Sequence, residues 1–383
     1  MTIKKIFALT SMITVSGLTY AQMSDVKMYG TLDLGVAYVD NGAKKDSHSF
    51  LLSSGISRTS MIGFKGNEDL GDGLRAVFQL EAGFDADTGA LKPYQGNPSS
   101  ATAAAPGGAP VTGLFNRRAI VGLSGRLGTL TLGRDYTPIY WGALDSDSLS
   151  LGMYGNLQEN AAMSGTGGER FGRASNAVFY VSPVKEGFMG RLMYSAGSES
   201  GGGTGAPPSK ANRMLAGSGK YTAGGFMLTA VYQQIDLPKV AGTPAAFTGA
   251  TGLRKDALIG TKYDFGPYSL TAGYFQVHQP TAANTNGNVY WIGGTAQLLG
   301  GVLMTNLQHM RQKTIFGTPQ TANVFGLAYV YPLSKRTALY SSYGRVNNSP
   351  TAAFSLVSSE PTIAPGTVGA SIKALAIGLR HSF

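Results

Sequence analysis

The chain has 383 residues, a formal net charge of +10, no cysteine, and charged residues at only 14%, well below the quarter usual for a soluble domain. Absent cysteine excludes a disulfide framework and thiolate metal sites, and beyond the first 21 residues no run approaches the ~18 uninterrupted apolar residues of a membrane-spanning helix. Basic residues are spread singly rather than clustered, so no nucleic-acid partner is expected.

Lys4 and Lys5 form a short basic start, residues 6–18 an apolar core, and Thr19-Tyr20-Ala21 a small-x-small cleavage pattern. Residues 1–21 are therefore expected to be a signal peptide and 22–383 the exported domain. The run is too short and too rich in Ser and Thr for a transmembrane anchor.

From Val26 onward about ten residues of alternation, a turn, ten more and a Gly/Ser/Ala/Pro-rich loop repeat. Strands are predicted near 26–40, 51–66, 73–86, 114–125, 128–135, 173–183, 188–197 and 212–222. They continue near 225–236, 255–265, 268–279, 288–299, 301–313, 322–332, 336–347 and 371–383. Sixteen strands joined alternately by short turns and long loops match a single-chain antiparallel transmembrane β-barrel in lipid. Segments 96–113 and 198–210 read as low-complexity loop tips, not domain linkers.

Alternation also assigns faces. In 74–84, Ala76, Phe78, Leu80, Ala82 and Phe84 share one parity, and Arg75, Val77, Gln79 and Glu81 the other. Placing Arg75 and Glu81 in hydrocarbon would cost several kcal/mol each, so the polar parity is assigned to a wet lumen. A lipocalin-like soluble barrel would reverse that assignment. In 374–383, Leu375, Ile377, Leu379 and Phe383 form the outward parity and Arg380 turns inward.

Stretches 21–35 (AQMSDVKMYGTLDLG), 61–84 (MIGFKGNEDLGDGLRAVFQLEAGF), 115–138 (FNRRAIVGLSGRLGTLTLGRDYTP) and 378–383 (GLRHSF) resemble Gram-negative general diffusion porins of the β-proteobacterial trimeric branch. The resemblance implies a homotrimer of 16-stranded outer-membrane barrels, each with its third loop folded inward, basic wall residues opposing loop acids, and Phe383 as an assembly signal. Arg134 and Arg173 match two of the wall arginines. The position of a third is Met61 here, and the basic position after Tyr-Gly is Thr31. Arg58 substitutes for Met61 only if the strand bulges, because a spacing of three reverses parity.

The remaining candidates come from the residues themselves. Arg117 and Arg118 are adjacent on a predicted strand, so only one is expected in the lumen, and Arg117 is chosen. Loop 136–172 carries Asp145, Asp147, Glu159 and Glu169 against Arg170. Asp145 and Asp147 share extended parity and are the first choice for constriction acids, with Glu159 after them. The pore-lining set is thus Arg58, Arg75, Arg117, Arg134 and Arg173.

Gly217-Ser218-Gly219-Lys220 fails the phosphate-loop pattern at Met214 and Tyr221, and His48, His278, His309 and His381 are scattered without ligand spacing. No G-x-S-x-G elbow occurs. No cofactor, metal or catalysis is expected. The reading is passive diffusion of ions and small hydrophilic solutes, with mild anion preference. A substrate-specific channel with a saturable site, using Tyr136, Tyr140, Trp141 and Tyr154, is the alternative. An adhesive barrel is the third.

Overall fold

A chain whose side chains alternate in this way can satisfy every backbone group in lipid only by closing its sheet. The computed structural model describes residues 25–92, 113–158, 172–197, 213–237, 252–278, 286–313 and 319–383. The expected signal over 1–21, Glu159, Glu169, Arg170 and most of the two low-complexity tips lie outside them.

The strands are β1 (Asp25–Asp40), β2 (His48–Ser54), β3 (Met61–Gly71), β4 (Leu74–Gly83), β5 (Arg118–Gly125) and β6 (Gly128–Tyr136), followed by helix α1 (Pro138–Ser146). Then come β7 (Arg173–Val181), β8 (Phe188–Ser195), β9 (Met214–Ala223), β10 (Phe226–Leu237), β11 (Gly252–Phe265), β12 (Tyr268–His278) and β13 (Gly287–Leu298). The chain ends with β14 (Gly301–Lys313), β15 (Pro319–Pro332), β16 (Thr337–Asn348), a small hairpin of β17 (Leu356–Val357) and β18 (Thr362–Ile363), and β19 (Ile372–Ser382). Wall neighbours pair antiparallel throughout, and β1 pairs with β19 to close the barrel.

β2 and β3 both pair with β1 and fill one wall position, so the barrel has sixteen strands. The single strand expected over 51–66 is broken at 55–60. Gly55 adopts φ +73° there, and the buried Asp33 of β1 accepts backbone hydrogen bonds from Ser57 (3.5 Å) and Arg58 (2.9 Å). Two N–H groups that would have joined the ladder are met by a carboxylate instead.

Face assignment follows the exposed apolar groups. Val36, Leu132, Ile259, Ile292 and Ile377 are 48–65% exposed and mark the exterior. Leu34, Val36 and Tyr38 of β1 stand opposite Leu379, Ile377 and Leu375 of β19 on that face. Phe383 exchanges both backbone hydrogen bonds with Gly30, at 3.0 and 3.1 Å, and its ring covers the space a Gly30 side chain would need. Between β3 and β4, Asp72 and Gly73 both take positive φ (53° and 77°), the type I′ geometry that a two-residue Asp-Gly turn supplies.

Residues 137–158 pack on the opposite, lumenal face. Thr137 caps α1 by accepting from the Tyr140 N–H (3.3 Å), with Pro138 at the first helical position. The absence of a side chain at Gly142 lets α1 approach Val231 and Leu258 of the wall. Ile139, Leu149, Leu151 and Leu157 are buried against Val231, Leu258, Phe275, Trp291, Val324 and Val346, together with Phe354 and Leu356 of the last loop. At about 1.5–3 kcal/mol per fully buried aliphatic side chain, this apolar contact holds the segment to the inner wall.

Candidate functional site

Tyr136 ends β6 where the chain leaves the wall, and cations converge on its ring. The guanidinium carbons of Arg173, Arg118 and Arg117 lie 4.7, 5.8 and 5.9 Å from its centroid. Its hydroxyl accepts hydrogen bonds from Arg173 Nη2 (3.1 Å) and from Arg117 Nη2. Tyr140 stacks on it at 4.2 Å, and Trp141 meets both rings edge-on. Cation–π attraction of this kind is worth about 0.5–2 kcal/mol per contact.

Arg117 and Arg118 therefore both reach the Tyr136 ring. The expectation that parity leaves only one in the lumen is corrected because Arg117 precedes β5, so strand alternation does not separate the pair. Arg118 pairs with Asp135 (2.6 Å) and donates to Gln79 (2.8 Å). Arg117 lies 3.6 Å from Glu81 and 3.7 Å from Glu360. The Nε atoms of Arg117 and Arg118 are buried without an acceptor among the described residues.

Arg58 is presented by the break in the second wall strand. It is exposed and lies within electrostatic reach of Arg380 and Tyr140. The break is the irregularity that its spacing required. Arg380 faces inward, as its parity predicts, and donates to Ser57 Oγ at 2.9 Å. Arg173 sits at the start of β7, in the cluster.

Two expected wall cations lie elsewhere. Arg134 is 5% exposed, donating to the Asn116 carbonyl (2.8 Å) and Ser175 Oγ (2.9 Å). The register of β6 slips between Gly133 and Asp135, with Gly133 at φ +124°, and the slip takes Arg134 out of the simple alternation. It ties β6 to β7 rather than lining open water. Arg75 pairs in register with Ser124, six residues along β4 from the Glu81–Arg118 pair. At ~3.3 Å per residue it stands roughly 20 Å away, at the short-turn mouth.

The loop acids also differ from expectation. Extended parity does not apply to Asp145, because 138–146 is helical. Its Oδ1 pairs with Lys220 Nζ of β9 at 2.9 Å, and its Oδ2 is buried without a partner among the described residues. Asp147 is a strut. It accepts from the N–H groups of Leu149 (3.1 Å), Leu151 (2.9 Å) and Leu157 (3.2 Å) and from the Asn306 amide (3.1 Å). These bonds hold a segment in which Ser150, Leu151 and Met153 all take left-handed φ of 52–58°, a costly conformation for non-glycine residues. Burial pushes the Asp147 carboxyl up to about 6.

Sequence reasoning missed Glu360. The last loop brings it to Lys92 (3.5 Å), Arg117 (3.7 Å) and the Thr59 hydroxyl. The same loop buttresses the inward segment where Gly155 N–H donates to the Val357 carbonyl (3.0 Å). Tyr154, one of the aromatic candidates, is 1% exposed and hydrogen-bonded through its N–H to Ser342, so it packs rather than lines. Trp291 further pins the segment by donating to the Ser146 carbonyl (3.1 Å).

Charge at this level is unevenly available. Asp33 and Asp147 are buried and saturated by donors, and Glu81, Asp135, Asp145 and Glu360 are each paired with a cation. Arg58, Arg191 and Arg380 have no carboxylate within 4 Å among the described residues.

Residues 8–351 match a protein-family model described as Gram-negative porin. The chain is 30% identical to outer membrane porin protein 32 of Delftia acidovorans over 99% of its length and 100% of that protein's. Its fold superposes on the anion-selective porin from Comamonas acidovorans with a TM-score of 0.71 at 26% identity, covering 94% of this chain and 100% of that one. The trimer form of OmpT from Vibrio cholerae gives a TM-score of 0.63 at 15% identity over 94% and 99% of the two chains, a likeness of fold alone.

Proposed function

Because the chain belongs to the Gram-negative porin family, a class of outer-membrane channels rather than enzymes, we propose that its sixteen-stranded barrel passes small hydrophilic anions more readily than cations and performs no chemistry. The barrel is a passive diffusion channel of the outer membrane.

The observation that carries the anion preference is the imbalance of available charge beside residues 137–158. Cations at Arg58, Arg191 and Arg380 stand without carboxylate partners among the described residues, while the acids of that level are buried or paired. A fixed positive field concentrates anions and depletes cations in a narrow aqueous passage.

Residues 1–21 are proposed to be removed on export. Three barrels are proposed to associate through the exposed apolar exterior that β1 and β19 share, in line with the trimer form of a fold relative. Phe383, on that exterior face, is proposed as the assembly signal. Purified protein in planar bilayers under a KCl gradient tests the selectivity, and native gels before and after heating test the trimer. A cation-selective zero-current potential overturns the anion reading.

A further inference from the structure

Beside α1 the inner wall carries a recess of about 240 Å³. Its apolar contacts are Ile120, Phe179 and Val181, with Thr129 and Thr131 of β6 between them, and its polar lining carries Gln79, Arg118, Asp135 and Arg191. Trp141 and Tyr136 line it from the inward segment, and it stays open on one side.

The charges of the recess do not cancel. Arg118 is committed to Asp135 at 2.6 Å. Arg191 lies over the Trp141 ring, 5.2 Å from the centroid, and has no carboxylate within 4 Å among the described residues. The recess therefore combines one available guanidinium with an apolar wall. A dry apolar cavity of roughly 150 Å³ accommodates benzene, whereas drug-sized ligands need about 300 Å³ or more. The volume here suits a single ring with one small polar group.

We propose that this recess is a binding site for small monocarboxylates bearing an aromatic or comparable apolar body. The carboxylate is taken by Arg191, and the ring lies against Ile120, Phe179 and Val181 under Trp141. The proposal rests on the reading that residues 137–158 border a conducting lumen. Such a solute would pause beside the arginine cluster and obstruct the passage of smaller ions, so binding appears as a saturable block of chloride current.

The test uses the full mature barrel in planar bilayers with benzoate, acetate and neutral benzamide as probes. Benzoate is expected to block chloride current at concentrations at least tenfold lower than acetate or benzamide. Arg191→Gln should weaken the benzoate block about tenfold or more, the size of a lost charge-assisted hydrogen bond, with block read as a fraction of that variant's own benzoate-free chloride current, because losing Arg191 also thins the positive field. Phe179→Ala should weaken it severalfold without altering the response to acetate. Equal block by all three probes in the unmodified protein overturns the proposal without any variant, as does benzoate block unchanged in Arg191→Gln. Failure of the unmodified barrel to conduct at all would instead refute the channel reading on which the site rests.

Discussion

Glu360 offers a quantitative handle on the electrostatics. Its carboxylate lies 3.5 Å from Lys92 and 3.7 Å from Arg117, delivered by a loop from the far end of the sequence. Glu360→Gln keeps the shape and removes one negative charge. For an anion passing about 7 Å from that carboxylate in water, the lost repulsion is ~0.6 kcal/mol, and screening near 0.1 M salt halves it to ~0.3 kcal/mol. A cation feels the opposite change, so the chloride-to-potassium permeability ratio should rise by about threefold. Zero-current potentials of the two proteins in the same KCl gradient measure it. An unchanged ratio, or a shift toward potassium in a variant that conducts normally, would refute the placement of Glu360 on the ion path.

Two further outcomes test other parts of the structure. The raised Asp147 carboxyl binds its proton more tightly in the folded than in the unfolded chain. Acidification from pH 7 through about 6 toward 4 should therefore add stability through this group, on the order of 1 kcal/mol per pH unit. Asp147→Asn should flatten that slope in thermal melts of detergent-solubilised barrels, and a slope identical in both proteins would exclude Asp147 as its source. Phe383→Ala removes the ring that covers Gly30 on the exterior. It should lower the yield of heat-resistant assembled barrels while leaving the single-channel conductance of inserted ones unchanged; unaltered yield would dissociate Phe383 from assembly.

The barrel was legible because alternation is a strong, repeated signal: Leu375, Ile377 and Leu379 are exterior and Arg380 is interior, as their parity predicts. Errors arose where alternation lapses. Parity cannot separate Arg117 from Arg118, because Arg117 lies one residue before β5 begins. Arg134 falls at a register slip whose only local signal is Gly133. Extended parity for Asp145 and Asp147 overlooks Thr137-Pro138, a recognisable helix start. The break that presents Arg58 is organised by Asp33, some 25 residues earlier in the chain, and Gly55 is its one local mark. Glu360 was beyond reach for the same reason: its partners Thr59, Lys92 and Arg117 lie more than 240 residues away.

The central claim is that ions pass the arginine cluster beside residues 137–158. The chain has no cysteine, so Arg58→Cys introduces a unique thiol there, and Arg75→Cys places one at the short-turn mouth as a control. Treating each conducting barrel with a negatively charged methanethiosulfonate reports whether the position faces the path. The structure predicts that modification at 58 lowers both conductance and anion preference, with a much smaller effect at 75. Modification at 58 that leaves conductance and selectivity untouched would contradict it.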